Sequence, residues 1–128
     1  LIITRFSSRT KAAATAEKIR SAIDQHDFDI DEDLSIKNTC SIGFASYPFL
    51  QNNPSAHTWE QVLDIADTCL YAAKNSQRNA WVGLYAKDGE SNTEVVPTFL
   101  SNPEQALSSN QVFIKSSIAI DKVGGWKK

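Results

Sequence analysis

The sequence predicts an α/β fold, an α+β sandwich in which two helices cover a sheet. Three observations carry that prediction. Two segments with helical apolar spacing alternate with runs rich in β-branched and aromatic residues, giving the order β-α-β-α-β. A helix start is written into Thr58-Trp59-Glu60-Gln61, where Thr58 can accept from the N3 amide and Gln61 can reach back. The 128 residues are 41% hydrophobic and 22% charged, an ordinary globular balance that can bury a core without staples.

The elements follow in order. Residues 1 to 6 (LIITRF) are apolar and β-branched and read as a strand. Ser7, Ser8 and Thr10 are cap-type residues, and from Thr10 to His26 the pattern turns helical. Ala12, Ala16, Ile19 and Ile23 form its apolar face, with Lys11, Lys18, Arg20 and Asp24 elsewhere on the surface. Residues 27 to 33 read as a solvated acidic loop; they resemble a calcium loop but lack its sixth-position glycine and twelfth-position glutamate. Leu34, Ile36 and the stretch Thr39 to Tyr47 read as extended structure ending at Pro48, and residues 49 to 57 as a loop. In the second helix, Trp59, Leu63, Ala66, Leu70 and Ala73 step 4, 3, 4, 3, and Val62, Ile65 and Cys69 widen the stripe. Residues 79 to 85 read as a further strand. Residues 87 to 110, with Pro97 and Pro103, read as loop, 111 to 120 as a tail strand, and 124 to 128 as a frayed end.

The formal charge of -2 and a pI near 5.6 argue against a broad basic surface for nucleic acid. No apolar run exceeds Cys69 to Ala73, so neither a membrane span nor a secretory core segment is expected in this chain. Cys40 and Cys69 are too few for a disulfide framework and are expected as reduced thiols in the cytoplasm. His26 and His57 lack zinc spacing and are expected at the surface. The chain has no methionine and opens on a strand without lead-in, which points to a piece of a longer protein.

Two blocks then carry a resemblance: Thr39-Cys40-Ser41-Ile42-Gly43-Phe44-Ala45, and the run from Ile65-Ala66-Asp67 through Leu70-Tyr71-Ala72-Ala73-Lys74 to Arg78-Asn79. Together they resemble the second half of a GGDEF domain, and Ala16-Glu17-Lys18-Ile19-Arg20 resembles the first helix after that family's signature loop. The resemblance covers about residues 1 to 85. It implies a partial nucleotidyl-cyclase-like fold, with residues 1 to 86 as the C-terminal part of the domain and 87 to 128 as an extension. It also implies a role in bacterial second-messenger signalling, the condensation of two GTP into cyclic di-GMP by two domains meeting as a homodimer. Mg²⁺ would serve the intact domain through ligands outside this chain. The parent's attachment to the inner membrane would run through upstream segments. Gln77 departs from the family, which has glycine there. The Gly-Gly-Asp/Glu-Glu-Phe loop itself would lie before Leu1, and Gly124-Gly125, followed by Trp126, is no substitute.

Lys74 and Arg78 stand four apart at a helix end and the exit after it, where a point charge and a planar fork can meet one anion. Spacing alone leaves open a solvated helix end complementing the dipole. The resemblance implies contacts to the terminal phosphates of GTP. Lys18 occupies the place of an arginine that in some relatives binds product at an inhibitory site; its alternative is a surface lysine. Asp67 reads as a structural hydrogen-bonding residue rather than a metal ligand. No catalytic residue and no metal ligand is assigned. The sequence therefore predicts a cyclase fragment inactive by itself. The alternative is a degenerate, non-catalytic module serving as nucleotide sensor, cyclic di-GMP receptor or dimerisation domain.

Overall fold

The computed structural model describes residues 1–4 and 9–126. Helix α1 (Thr10–Gln25) begins at Arg9 without a side-chain cap, so Thr10 does not cap it, and Ser7 and Ser8 lie outside the described residues. Its start is held instead by Arg9, which donates to the Ala86 carbonyl at 2.8 Å and pairs with Asp88 at 2.6 Å. Of its apolar face only Ala12 and Ala16 are buried. Residues 1–4 carry no strand, which corrects the expectation for that part of 1 to 6; Arg5 and Phe6 lie outside the described residues.

The acidic stretch is not a loop. It forms strand β1 (Asp27–Asp31), which pairs antiparallel with β2 (Leu34–Lys37), placing Phe28 opposite Ile36 with an irregularity between Asp29 and Asp31. Every residue of both strands is exposed. Alternation of Asp with Phe28 and Ile30 is a period of two, which the run of carboxylates masks.

The main sheet has the order β3-β4-β5. Strand β3 (Ile42–Ala45) runs parallel to β4 (Trp81–Ala86), and helix α2 (Trp59–Ser76) makes the crossover between them. Among the described residues β3 pairs with no other strand. Strand β5 (Val112–Ser116) lies antiparallel on the far side of β4, inside the expected tail strand. On β4, Val82, Leu84 and Ala86 join the core, while Tyr85 meets Phe44 and Phe113 on the face that α1 covers.

Helix α2 is capped as written: Thr58 Oγ1 accepts from the Gln61 amide at 3.2 Å, and Gln61 Oε1 from the Thr58 amide at 2.9 Å. The buried stripe is rotated towards the residues expected to widen it: Val62, Ile65 and Cys69, with Ala72 and the expected Ala73, are buried, whereas Trp59 is 54% exposed. The flank of Ala66 and Leu70 lies on Gly43. A Cβ there would overlap the Ala66 carbonyl oxygen and the Leu70 amide nitrogen, so the backbone of α2 lies directly on β3 along that flank.

The region read as loop holds two short helices, α3 (Val95–Ser101) and α4 (Pro103–Ser108), which add Val95, Val96, Phe99 and Ala106 to the core. After a 3-10 turn at Ile120–Lys122, residues 124–126 are docked rather than frayed, with Trp126 7% exposed and edge-on to Phe99 at 5.7 Å, and Lys127 and Lys128 lie outside the described residues. His57 is also buried rather than superficial, with Nε2 3.1 Å from the Thr93 carbonyl oxygen. Mixed α/β layering thus holds, with α1 on one face of the sheet and α2, α3, α4 and the tail on the other.

Candidate functional site

Helix α2 ends in a sharp exit. Gln77 closes it at φ -156°, and Arg78 and Asn79 follow at φ 58° and 47°. The left-handed positions are therefore the two residues after Gln77, and Gln77 itself needs no glycine. A non-glycine residue held left-handed costs about 1 kcal/mol or more, asparagine least. Something must hold this turn.

Part of the hold is backbone: the Arg78 amide donates to the Ala73 carbonyl at 3.1 Å, and the Ile42 amide to that of Ala80 at 2.9 Å. The rest comes from α1. Arg20 Nη1 donates to Asn79 Oδ1 at 2.9 Å, and Asn79 Nδ2 to Asp24 Oδ2 at 3.3 Å. Arg20 is itself clamped by Glu17, with Nη2 and Nε donating at 2.6 and 2.9 Å. The Trp81 indole donates to the same carboxylate at 2.7 Å. Arg20 and then Trp81 hold the Glu17 carboxyl down to about 2 against the opposing effect of burial. The Glu17 contact raises Arg20 in turn. Glu17, Arg20 and Asp24 at i, i+3 and i+7 share one face of α1, a spacing that could have announced this network; the sequence reading treated Arg20 and Asp24 only as surface residues.

The network fixes the backbone and leaves two cations free. The side chains of Lys74 and Arg78 are both exposed, and neither makes a hydrogen bond or ion pair among the described residues. Lys74 opens into a groove of about 520 Å³ lined by Asp64, Asp67, Tyr71, Leu100 and Trp126; Arg78 is not in its lining. Two carboxylates against one ammonium make the groove anionic, so an incoming anion is favoured at the exit end, beside Arg78, and not along the groove. Lys18 is exposed on α1 and has no partner among the described residues. Asp67 does not play the structural role expected of it. It is exposed in the groove and makes no hydrogen bond among the described residues, because the rotation of α2 turns it outward.

A second feature was not foreseen. Asn75 and Ser76, between the two cations, hold the chain end. Asn75 Nδ2 donates to the Gly125 carbonyl at 2.9 Å, and the Gly124 amide donates to Ser76 Oγ at 3.1 Å. Gly125 sits at φ 66°.

The thiols are not part of this site. Burial pushes Cys69 far above the ordinary thiol range. Burial also raises Cys40, with Arg20 pulling it back. No group of three or more His, Cys, Asp or Glu side chains that could hold a metal occurs among the described residues. Asp64 and Asp67 share their groove with an ammonium, a donor set that does not fit Mg²⁺, which asks for near-octahedral oxygen ligands. Among the described residues no helix is long and apolar enough to cross a membrane.

Neither a curated protein nor a solved structure matches the chain. Residues 1–80 match the family described as diguanylate cyclase, GGDEF domain, a stretch that runs from the chain start through α1, β3 and α2 to the left-handed exit. That family binds GTP, is generally metal-dependent and generally acts as a dimer. The matched stretch holds both the contact of α2 on Gly43 and the turn at Asn79 and covers more than half of the chain, and the chain belongs to this family: it is a member of the GGDEF domain family, that of the diguanylate cyclases.

Proposed function

We propose that the exit of α2 holds the terminal phosphates of GTP in the formation of cyclic di-GMP from two GTP. The observation that carries this reading is the pair of unpartnered cations, Lys74 and Arg78, on a turn that four other side chains hold rigid. In the reaction, two domains meet antiparallel, each with one GTP. The 3′-hydroxyl of each GTP attacks the α-phosphate of the other, a P–O bond forms, and pyrophosphate leaves. The negative charge that builds on the leaving group is what Lys74 and Arg78 neutralise, Arg78 as a fork and Lys74 as a point charge. Fixing the turn before the phosphates arrive removes reorganisation at the moment of bond breaking.

Among the described residues no group of side chains fits Mg²⁺. The Gly-Gly-Asp/Glu-Glu-Phe signature does not occur in the 128 residues. The reading therefore gives this chain the phosphate-holding share of a site, on a cytoplasmic domain that works as a homodimer. By itself the chain is inactive. Lys18 is the position at which bound product would be felt. A second reading is a non-catalytic module that senses nucleotide, receives cyclic di-GMP or serves dimerisation; Gln77 departs there from the family's glycine in sequence, at a backbone conformation that any residue adopts.

The experiment is calorimetric titration of the chain with GTP, tripolyphosphate and guanosine. GTP and tripolyphosphate should bind, guanosine should not, and K74A/R78A should lose about tenfold or more in affinity for both anions. Equal binding by K74A/R78A refutes the phosphate role. Cyclic di-GMP formed by the chain alone refutes its inactivity. Binding of cyclic di-GMP without any binding of GTP selects the receptor reading.

A further inference from the structure

The chain end beyond the family match reaches the candidate site at the last turn of α2, and Trp126 also lines the groove into which Lys74 opens. There it is built in, not draped. The Gly124 amide donates to Ser76 Oγ, the Gly125 carbonyl accepts from Asn75 Nδ2, and Trp126 is buried against Phe99. The fit is tight at Gly125: a Cβ there would stand 2.5 Å from Asn75 Cβ, and its φ of 66° is one that side chains resist. Asn75 and Ser76 are the residues between Lys74 and the exit that presents Arg78. From the other side the same exit is gripped by Arg20 through Asn79.

From this geometry we infer that Gly124, Gly125 and Trp126 form a clasp whose task is to position the α2 exit, and that they are positioning residues for the phosphate site although they lie outside the family match. The inference rests on the phosphate reading of Lys74 and Arg78. The last turn of an α-helix lacks partners for its carbonyls and is where a helix opens first. Here that turn carries Lys74 and leads directly into two left-handed residues, Arg78 and Asn79. A strap bonded to Asn75 and Ser76, and weighted by a buried indole, holds the turn closed before the ligand arrives. Without it, part of the binding free energy goes into ordering the exit.

The test uses the full chain with four variants. G125A drives a methyl into Asn75, W126A removes the anchor, W126F keeps an aromatic ring against Phe99, and N75A deletes a single bond at an exposed helix position where alanine is well tolerated. Two quantities are read. The first is amide exchange at Gln77 and Arg78, whose amides both donate to the Ala73 carbonyl, relative to Val82 in the core, which separates opening of the exit from loss of global stability. The second is affinity for tripolyphosphate. G125A and W126A should speed exchange at Gln77 and Arg78 by about tenfold more than at Val82, and weaken tripolyphosphate by about three- to tenfold; N75A should show a smaller change in the same direction, and W126F should stay near wild type. If W126A does not fold, G125A and N75A decide the matter. Wild-type exchange at the exit in G125A and N75A overturns the clasp, whatever the affinity. Should K74A/R78A bind tripolyphosphate as wild type does, the phosphate reading falls, and the clasp as a positioning device for that site falls with it even if exchange at the exit responds.

Discussion

Gly43→Ala tests whether the contact between α2 and β3 is as direct as the structure has it. The added methyl would overlap the Ala66 carbonyl oxygen and the Leu70 amide nitrogen and stand 2.7 Å from Leu70 Cα, where ordinary contact begins at 3.4 Å. These are backbone atoms, so no rotamer change relieves the overlap. The helix as a whole has to retreat by about 0.7 Å or more, and it carries Val62, Ile65, Cys69, Ala72 and Ala73 out of their packing as it goes. Overpacking of a side chain costs about 1–3 kcal/mol. An obstruction that is backbone on a helix flank belongs at the upper end, about 3 kcal/mol, or roughly 10 °C in Tm for a domain of this size. Gly124→Ala is the control, because its Cβ would meet nothing within 4 Å. It should change stability by less than about 1 kcal/mol. Urea unfolding followed by far-ultraviolet circular dichroism, with thermal melts beside it, gives both numbers. A Gly43→Ala chain within about 0.5 kcal/mol of wild type would mean that α2 slides freely on β3 and that the packing argument is wrong.

Further outcomes follow from other parts of the molecule. Glu17 titrates at about 2 in the folded chain against an ordinary 4.5, so its contribution to stability is complete above pH 4.5 and disappears as pH falls towards 2. With 45% of the Glu17 side chain exposed and solvent screening the pair, Glu17→Gln should cost only about 1 kcal/mol at pH 7 and nothing near pH 2, measured by urea midpoints across pH; a constant difference across that range would refute the ion-pair origin. A thiol reagent should modify Cys40 in the native chain and reach Cys69 only at the rate of unfolding, since Cys69 is fully buried; equal rates under native conditions would refute the packing of α2. Arg78→Gly should raise stability by about 1 kcal/mol by relieving a left-handed residue at φ 58°, while weakening tripolyphosphate binding. Loss of stability instead would show that the arginine side chain holds the turn.

How much of this was legible in the sequence depended on whether the signal was local. The capping box at Thr58 and Gln61 was readable because both partners lie within one turn, and the two helices that carry the site were readable from their period. Helices α3 and α4 were hidden by Pro97 and Pro103. Pro103 occupies the first position of α4 and Pro97 the first turn of α3, where a missing N–H breaks nothing. Strand β1 was hidden by its own aspartates. On α2 the period marks the buried Val62, Ile65, Cys69 and Ala73, while the close approach of Ala66 and Leu70 to Gly43 is one that helical spacing does not see. At the site, Lys74 and Arg78 were visible as charges in a motif. The spacing of Glu17, Arg20 and Asp24 marks a shared helix face, but the reach of Arg20 to Asn79, of Trp81 to Glu17, and of Gly124 and Gly125 to Ser76 and Asn75 joins residues about 50 or more positions apart, which no local pattern encodes.

The β1–β2 hairpin has a consequence for how the molecule comes apart. All its residues are exposed, and a two-stranded hairpin in water is marginal on its own. Its ties to the rest are slight, the Lys37 ammonium on the Gln25 carbonyl at 3.3 Å and the His26 ring against Phe28. Its opening therefore draws on little of the free energy that holds the core, and it can unzip while α1, α2 and the β3-β4-β5 sheet stay closed. A protease that meets the native chain finds its first cut between Phe28 and Ile36. Such a nick leaves both pieces, 1–30 and 34–128 in round terms, bound to each other through the Glu17 and Arg20 grip on Asn79 and Trp81, so the cleaved chain still travels as one particle.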